Sequence, residues 1–313
     1  MSSTEAVSAG IWSIGELAEH AGVTVKTVRF YSDRGLLPEA GRSSGGHRRY
    51  GPEALDRLRL IRSLRSLDLP VPAVGRVLDR DDALEDVIAG RLREVGSRLT
   101  TLRWQEASLR LLQDCTAEER AERLRLLGAV PSLPDTTALA RFWRRTLPVR
   151  LPARLVSAVV DAAVPQPPAD PNPAQVLAFA RLHALVSDGL RLVVHPAGAD
   201  DRPSVLYEGL AEAYALAAPD LRAGRAPRAG EALDCFVSAY AGSKGTAGTA
   251  DTPAFRRSLK GELAQGAHPL IERYWQLAAE LATPASGPAE PTAGAAHYWL
   301  CAALGSDIAG RTT

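Results

Sequence analysis

Apolar residues recur at helical spacing over most of the chain, and Gly, Pro and Thr punctuate the runs. The first run, Ile14-Gly15-Glu16-Leu17-Ala18-Glu19-His20-Ala21, predicts a short helix closed by Gly22, a residue that takes φ > 0 without a Cβ penalty. Thr24 is placed to cap a second helix through its hydroxyl. Val25, Val28, Leu36 and Leu37 supply the apolar positions that pack the pair, and Phe30 is assigned to the same core. Lys26, Thr27, Arg29, Tyr31 and Arg34 are left to face outward. Gly35 stops the second helix and Pro38 prevents it from resuming. Arg42-Ser43-Ser44-Gly45-Gly46 then makes a flexible turn between two short extended pieces. Pro52 opens a further helix, Glu53 to Leu67, with Leu55, Leu58, Ile61, Leu64 and Leu67 in register.

From Leu84 to about Leu112 the apolar period becomes seven residues. Ile88, Leu92, Val95, Leu99, Leu102 and Leu109 alternate three and four apart, with Glu106 interrupting the seam. So narrow a stripe, flanked by Arg and Glu, predicts a coiled coil between two copies rather than a helix buried against its own domain. Gly90 and Gly96 each cost about 1 kcal/mol relative to Ala in a helix and mark a bend or a close contact.

Pro131, Pro134 and Asp135 mark a boundary, beyond which the composition shifts. Twelve of the seventeen aromatic residues follow position 135, which gives this part a core of its own. Helical stretches are predicted at 136–147, 152–163, 173–188, 204–218, 230–241, 254–282 and 293–304, with one short strand possible at Leu190 to Val194. The expected fold class is all-α, with a small β-wing near the N-terminus. The expected organisation is a helix-turn-helix domain at 11–80, a dimerisation helix at 81–128 and a helical domain at 135–313.

The charge distribution sharpens this picture. The net charge is +1, yet positions 41 to 65 hold seven Arg against Glu53 and Asp56, a local +5. Beside a helix-turn-helix pattern, that excess points to phosphate contact rather than to an ordinary solvated face. Arg abundance alone says less, because Lys occurs only at positions 26, 244 and 260, a bias typical of GC-rich coding. Cys115, Cys235 and Cys301 are too scattered for a disulfide frame or a structural zinc, and no metal or cofactor is expected. Cys235 and Cys301 are read as small buried hydrophobes. His183, His195, His268 and His297 show no ligand spacing. No nucleophile elbow, phosphate loop or plausible triad argues for an enzyme, so no catalytic residue is expected. The polar Met1–Gly10 segment does not read as a signal peptide, and no apolar run is long enough for a membrane span, so a cytoplasmic protein is expected.

The order Ile14-Gly15-Glu16-Leu17-Ala18, Val23, Thr27-Val28-Arg29-Phe30-Tyr31, Arg34-Gly35-Leu36-Leu37, Arg42, Gly46-His47-Arg48-Arg49-Tyr50 resembles the DNA-binding domain of the MerR family, from about Trp12 to Leu78. Leu69-Pro70-Val71-Pro72-Ala73-Val74 resembles the family's second helical pair. The resemblance implies a winged helix-turn-helix that contacts DNA through Thr24, Lys26, Thr27, Arg29, Tyr31, Arg34, Arg42, His47, Arg48, Arg49 and Tyr50. Phosphate contacts would set register while a few side chains read bases. It implies a homodimer whose long helices pair antiparallel through Ile88, Leu92, Val95, Leu99, Leu102 and Leu109. It also implies double-stranded promoter DNA and RNA polymerase holoenzyme as partners. The DNA would be bent and untwisted so that an overlong promoter spacer realigns for polymerase.

The extra C-terminal region narrows the branch. The cysteine pair of metal-sensing members, the Asp-x-His-x-x-Gly string of cobalamin-binding members and the alternating strands of β-rich drug sensors are all missing. What remains resembles the branch with a helical effector domain, as in the thiostrepton-induced regulators, with His268–Leu277 as the matching helix. A small-molecule effector is expected, enclosed by Trp143, Tyr214, Tyr240, Tyr274 and Trp275, because aromatic rings with polar handles orient ligands in pockets. The alternative is a ligand-independent regulator whose C-terminal domain contacts RNA polymerase or another protein.

Overall fold

The structure is a computed structural model that describes residues 10–80, 82–113, 115–130, 134–187, 202–244, 251–284 and 290–310. Pro131, His195 and the strand considered at Leu190–Val194 lie outside the described residues. The described residues are mainly α-helical, with one two-stranded sheet. The chain divides into two units, Met1–Arg98 and Leu99–Thr313.

The first unit begins with α1 (Ile14–Ala21) and α2 (Val25–Asp33). Gly22 ends α1 at φ 64°, as its position requires. Thr24 caps α2, its hydroxyl accepting from the Thr27 N–H at 3.2 Å. Strands β1 (Gly41–Arg42) and β2 (Arg48–Arg49) pair antiparallel, with Gly41 opposite Arg49 and Arg42 opposite Arg48. Trp12 and Tyr50 exchange two further backbone bonds of 2.7 and 2.9 Å, tying the segment before α1 to the far strand of this hairpin. Next come α3 (Pro52–Ser66) and α4 (Val71–Asp79). Leu17, Val28, Leu58, Ile61, Leu64 and Val74 form the core with Leu36 and Leu37. Of the basic run, Arg57 and Arg62 donate to the Leu78 and Ala21 carbonyls and Arg65 to that of Leu69, so three of its seven guanidiniums secure backbone at or beside helix ends.

The segment expected as one dimerisation helix, 81–128, is two helices. α5 (Ala83–Gln113) carries the heptad stripe, and α6 (Ala117–Gly128) starts afresh. The break follows from a capping box: the Thr116 hydroxyl accepts from the Glu119 N–H and the Glu119 carboxylate accepts from the Thr116 N–H. The division into units falls within α5. Among the described residues no other part of the chain comes within 4 Å of the Cβ positions of Gly90 or Gly96.

The second unit continues with α7 (Thr137–Thr146), α8 (Ala153–Ala163), α9 (Pro173–Ser187), α10 (Pro203–Arg222) and α11 (Glu231–Ser243). It closes with α12 (Pro253–Gly266), α13 (Pro269–Ala282) and α14 (Ala293–Gly310). The expected helix 254–282 is thus two, because Pro269 opens α13 and the His268 ring accepts from the Leu270 N–H at 3.2 Å. The unit has two cores. Trp104, Leu139, Trp143, Phe179, Leu182, Tyr274 and Leu277 form one. Leu206, Phe236, Val237, Leu259, Leu300 and Leu304 form the other. Beside the second, the buried Arg256 donates to Asp234, Asp251 and Asp307, an arrangement that satisfies a charge otherwise costly to bury.

Candidate nucleic-acid interface and helical-unit cavity

Helix α2 buries Val28, Tyr31 and Ser32 and turns Val25, Lys26, Arg29 and Phe30 outward. Lys26 and Arg29 therefore stand on a solvent-facing ridge, with Thr24 exposed at its start and Thr27 half-buried beneath it. Phe30 is 40% exposed, a correction to its assignment as core: it lies four residues after Lys26, on the same helical face. The Arg34 guanidinium sits 3.6 Å from the centre of the Phe30 ring, and that cation–π contact holds Arg34 along the ridge.

The wing separates arginines that are free to grip from one that is not. Arg48 is half-buried and donates to Asp33 at 2.5 Å and to the Ser32 hydroxyl at 3.0 Å. It also pairs with Glu39 at 2.8 Å. The hydrogen bond to Asp33 holds its pKa above the ordinary value, so Arg48 ties the wing to α2. Arg42 is exposed with one loose partner, Glu39, at 3.4 Å. Arg49 meets Glu16 at 3.8 Å, and His47 is exposed in the turn.

Tyr50 is corrected from a contact residue to a core residue, and Tyr31, open between phosphate contact and packing, packs in the core. Tyr50 is fully buried and its hydroxyl lies 2.7 Å from that of Ser32, while Tyr31 is 9% exposed. The backbone bridge to Trp12 turns Tyr50 inward, a long-range pairing that local spacing does not reveal. Lys26, Arg29, Arg34, Arg42, His47 and Arg49 remain as the exposed or part-exposed positive and polar set.

Along α5 the heptad positions face solvent. Ile88 is 39% exposed, Leu92 66%, Val95 38%, Leu99 48%, Leu102 59% and Leu109 68%. Trp104, Ala107 and Leu111, on another face of the same helix, are buried in the second unit's own core. A fully exposed leucine forfeits about 1.5–3 kcal/mol of burial, and the run forms an exposed apolar stripe along α5.

The second unit holds a cavity of about 530 Å³, lined from both of its cores. Trp143, Tyr214, Tyr240 and Trp275, four of the five expected pocket aromatics, line it. Tyr274 does not. It is fully buried, and its hydroxyl donates to the Ala163 carbonyl at 2.9 Å, which makes it a structural tyrosine. Trp275 is seated against Gly294, where any Cβ would fall 2.2 Å from the indole ring. Tyr207 and Tyr298, pocket candidates outside the chosen five, also line the cavity, as do Lys260, Glu272, His297 and Cys301, which sequence reasoning did not find. Only the spacing of His297 and Cys301, four apart on one helix, was available as a signal.

His297 organises the polar part of the wall. Its Nδ1 lies 3.0 Å from the Tyr214 hydroxyl and its Nε2 lies 3.6 Å from Cys301 Sγ. Burial lowers the His297 pKa to about 4 and pushes the Cys301 thiol up to about 12. Burial likewise raises the Tyr214 pKa, so the trio is uncharged at neutral pH. The folded unit excludes a proton that the unfolded chain binds below about pH 6.5. Stability is therefore full above that pH and falls as pH drops toward 4, by about 3 kcal/mol for a shift of this size. A His297→Gln variant will show a flatter denaturation midpoint between pH 6.5 and 4, measured by urea unfolding.

Among the described residues no group of three or more His, Cys, Asp or Glu side chains could hold a metal ion. No helix among them is long and apolar enough to cross a membrane.

Comparison with known proteins places the helix-turn-helix region. Residues 12–81 match the family model described as MerR HTH family regulatory protein. The HTH-type transcriptional regulator ZntR homolog of Haemophilus influenzae is 31% identical over 121 residues, covering 36% of this chain and 90% of that protein. The HTH-type transcriptional activator TipA of Streptomyces coelicolor is 47% identical over 68 residues, covering 22% of this chain and 27% of that protein. Nodulation protein NolA of Bradyrhizobium sp. (strain NC92) is 39% identical over 95 residues, covering 29% of this chain. The chain spans 40% of that nodulation protein's length.

Proposed function

The chain belongs to the MerR family of helix-turn-helix regulatory proteins, and from that membership we propose a homodimeric transcription regulator whose hold on promoter DNA is set by a small molecule in its helical unit. The observation that carries this reading is the exposed apolar stripe of α5. Pairing the stripe with its twin across a two-fold axis buries it and fixes two DNA-binding heads at one spacing. Lys26, Arg29 and Arg34 on the ridge, with Arg42, His47 and Arg49 on the wing, then grip each half-site. The dimer bends and untwists the DNA between the half-sites for RNA polymerase, at a deformation cost of several kcal/mol, about 1–6 for a site of this size. The cavity supports an effector over a ligand-independent device, because its volume lies in the range of small-molecule sites. An effector acts to the extent that it binds one DNA-distorting state better than the other. The proposed role is regulatory, in the cytoplasm, with no catalytic step.

Selection of bound sequences from random duplexes tests this proposal. A two-fold-symmetric protein enriches an inverted repeat. Enrichment of a single, asymmetric half-site overturns it.

A further inference from the structure

We propose that the cavity of the helical unit takes an uncharged, largely apolar, ring-bearing molecule. This names the ligand class for the effector reading above and rests on that reading only for the ligand's consequence at DNA. Three features of the wall carry it. First, the lining is mostly hydrocarbon: Leu147, Leu155, Val159, Leu210, Ile271 and Leu263 alternate with alanines. Burial of matching apolar surface is the interaction such a wall rewards, at about 25 cal/mol per Å². Second, Trp143, Trp275, Tyr207 and Tyr298 present rings, which favour offset-stacked or edge-on contact with rings of the ligand.

Third, the polar groups within the wall are uncharged and largely turned on one another. The Tyr214 hydroxyl and Cys301 Sγ take the two nitrogens of His297, and a neutral imidazole protonated at Nε2 satisfies both contacts. Burial keeps all three in their uncharged forms at neutral pH. A carboxylate or sulfonate ligand set among them loses its hydration and gains no counter-charge. The ionic side chains of the lining, Lys260 on α12 and Glu272 on α13, are both exposed and opposite in sign, so together they add no net charge to the wall. Tyr298, whose hydroxyl burial and the nearby Glu272 hold to a pKa of about 12, adds no charge.

The test uses two fluorescent probes that differ by one sulfonate group, N-phenyl-1-naphthylamine and 1-anilinonaphthalene-8-sulfonate, titrated into the full-length protein at pH 7.5. The neutral probe is expected to bind once per chain with blue-shifted emission, and the sulfonate at least tenfold more weakly. Ala211→Trp on α10 and Ala162→Trp on α8 each place an indole at the cavity wall. At least one of them, with its melting curve unchanged, is expected to weaken the neutral probe tenfold or more. Equal or tighter binding of the sulfonate overturns the proposal. So does no binding of the neutral probe, or undiminished binding in folded forms of both variants. Probe binding that leaves DNA affinity and distortion unchanged supports the ligand class and counts against the effector role, which keeps the two failures apart.

Discussion

Replacing Leu92 and Leu99 by Glu will leave the protein folded but monomeric. Both side chains are exposed within one chain, 66% and 48%, so neither change opens a cavity in a core or strands a buried charge. In the proposed dimer both lie in the seam, where two copies bring four carboxylates into an apolar contact without partners. The expected result by analytical ultracentrifugation is a single species of half the wild-type mass, with the melting of the isolated chain little altered. Loss of the second head removes the effective concentration that links two half-sites. Affinity for an inverted repeat then falls by about 10² to 10⁴, while affinity for a single half-site hardly moves. A double variant that sediments as a dimer shows that the stripe is not the seam.

Arg29→Ala will separate gripping residues from structural ones. Arg29 is exposed at the middle of α2, and among the described residues no other side chain ties it in place. Its removal is expected to leave the denaturation midpoint within experimental scatter and to cost about 1–3 kcal/mol of DNA affinity, roughly a 5- to 150-fold rise in Kd. If Arg29 meets phosphate alone, the loss is uniform across sequences and the salt dependence shallows by about one counterion. If it reads a base, discrimination at that position relaxes instead. Arg48→Ala supplies the contrast. Because Arg48 holds Asp33, Glu39 and Ser32 together, its loss lowers stability as well as affinity. Gel-shift titrations at two salt concentrations, with urea denaturation of the same preparations, read both effects. Equal stability loss in the two variants, with unchanged DNA affinity for Arg29→Ala, contradicts the assignment.

The helix-turn-helix was legible because its signals are local. Gly22 and Thr24 act within one turn of themselves, and the alternation of Val28 with Lys26 and Arg29 sets the two faces of α2. Tyr50 was misread because its burial depends on Trp12 and Ser32, 38 and 18 residues away. Phe30 was misread for the opposite reason: its hydrophobicity outweighed its place on the helical wheel, and its cover is Arg34 rather than the core. Two breaks carried local signals of their own, Thr116 with Glu119 and His268 with Pro269, but the segments on either side were read as continuous. The pocket was legible as chemistry and not as geometry. Aromatic side chains pointed to it, yet Tyr274 differs from Trp275 only in which side of α13 it occupies. The convergence of Tyr214, His297 and Cys301 is a tertiary event that spacing could not supply.

The central claim is that two copies clamp one DNA site and distort its middle under the control of the helical unit. Hydroxyl-radical and DNase I footprinting on duplexes selected by the full-length protein, with and without a ligand that raises its melting temperature, tests it most directly. The account predicts two protected half-sites related by a two-fold axis, with a hypersensitive centre whose intensity changes on ligand addition. Protection of a single half-site, or a symmetric footprint whose centre stays unperturbed in both ligand states, would contradict it.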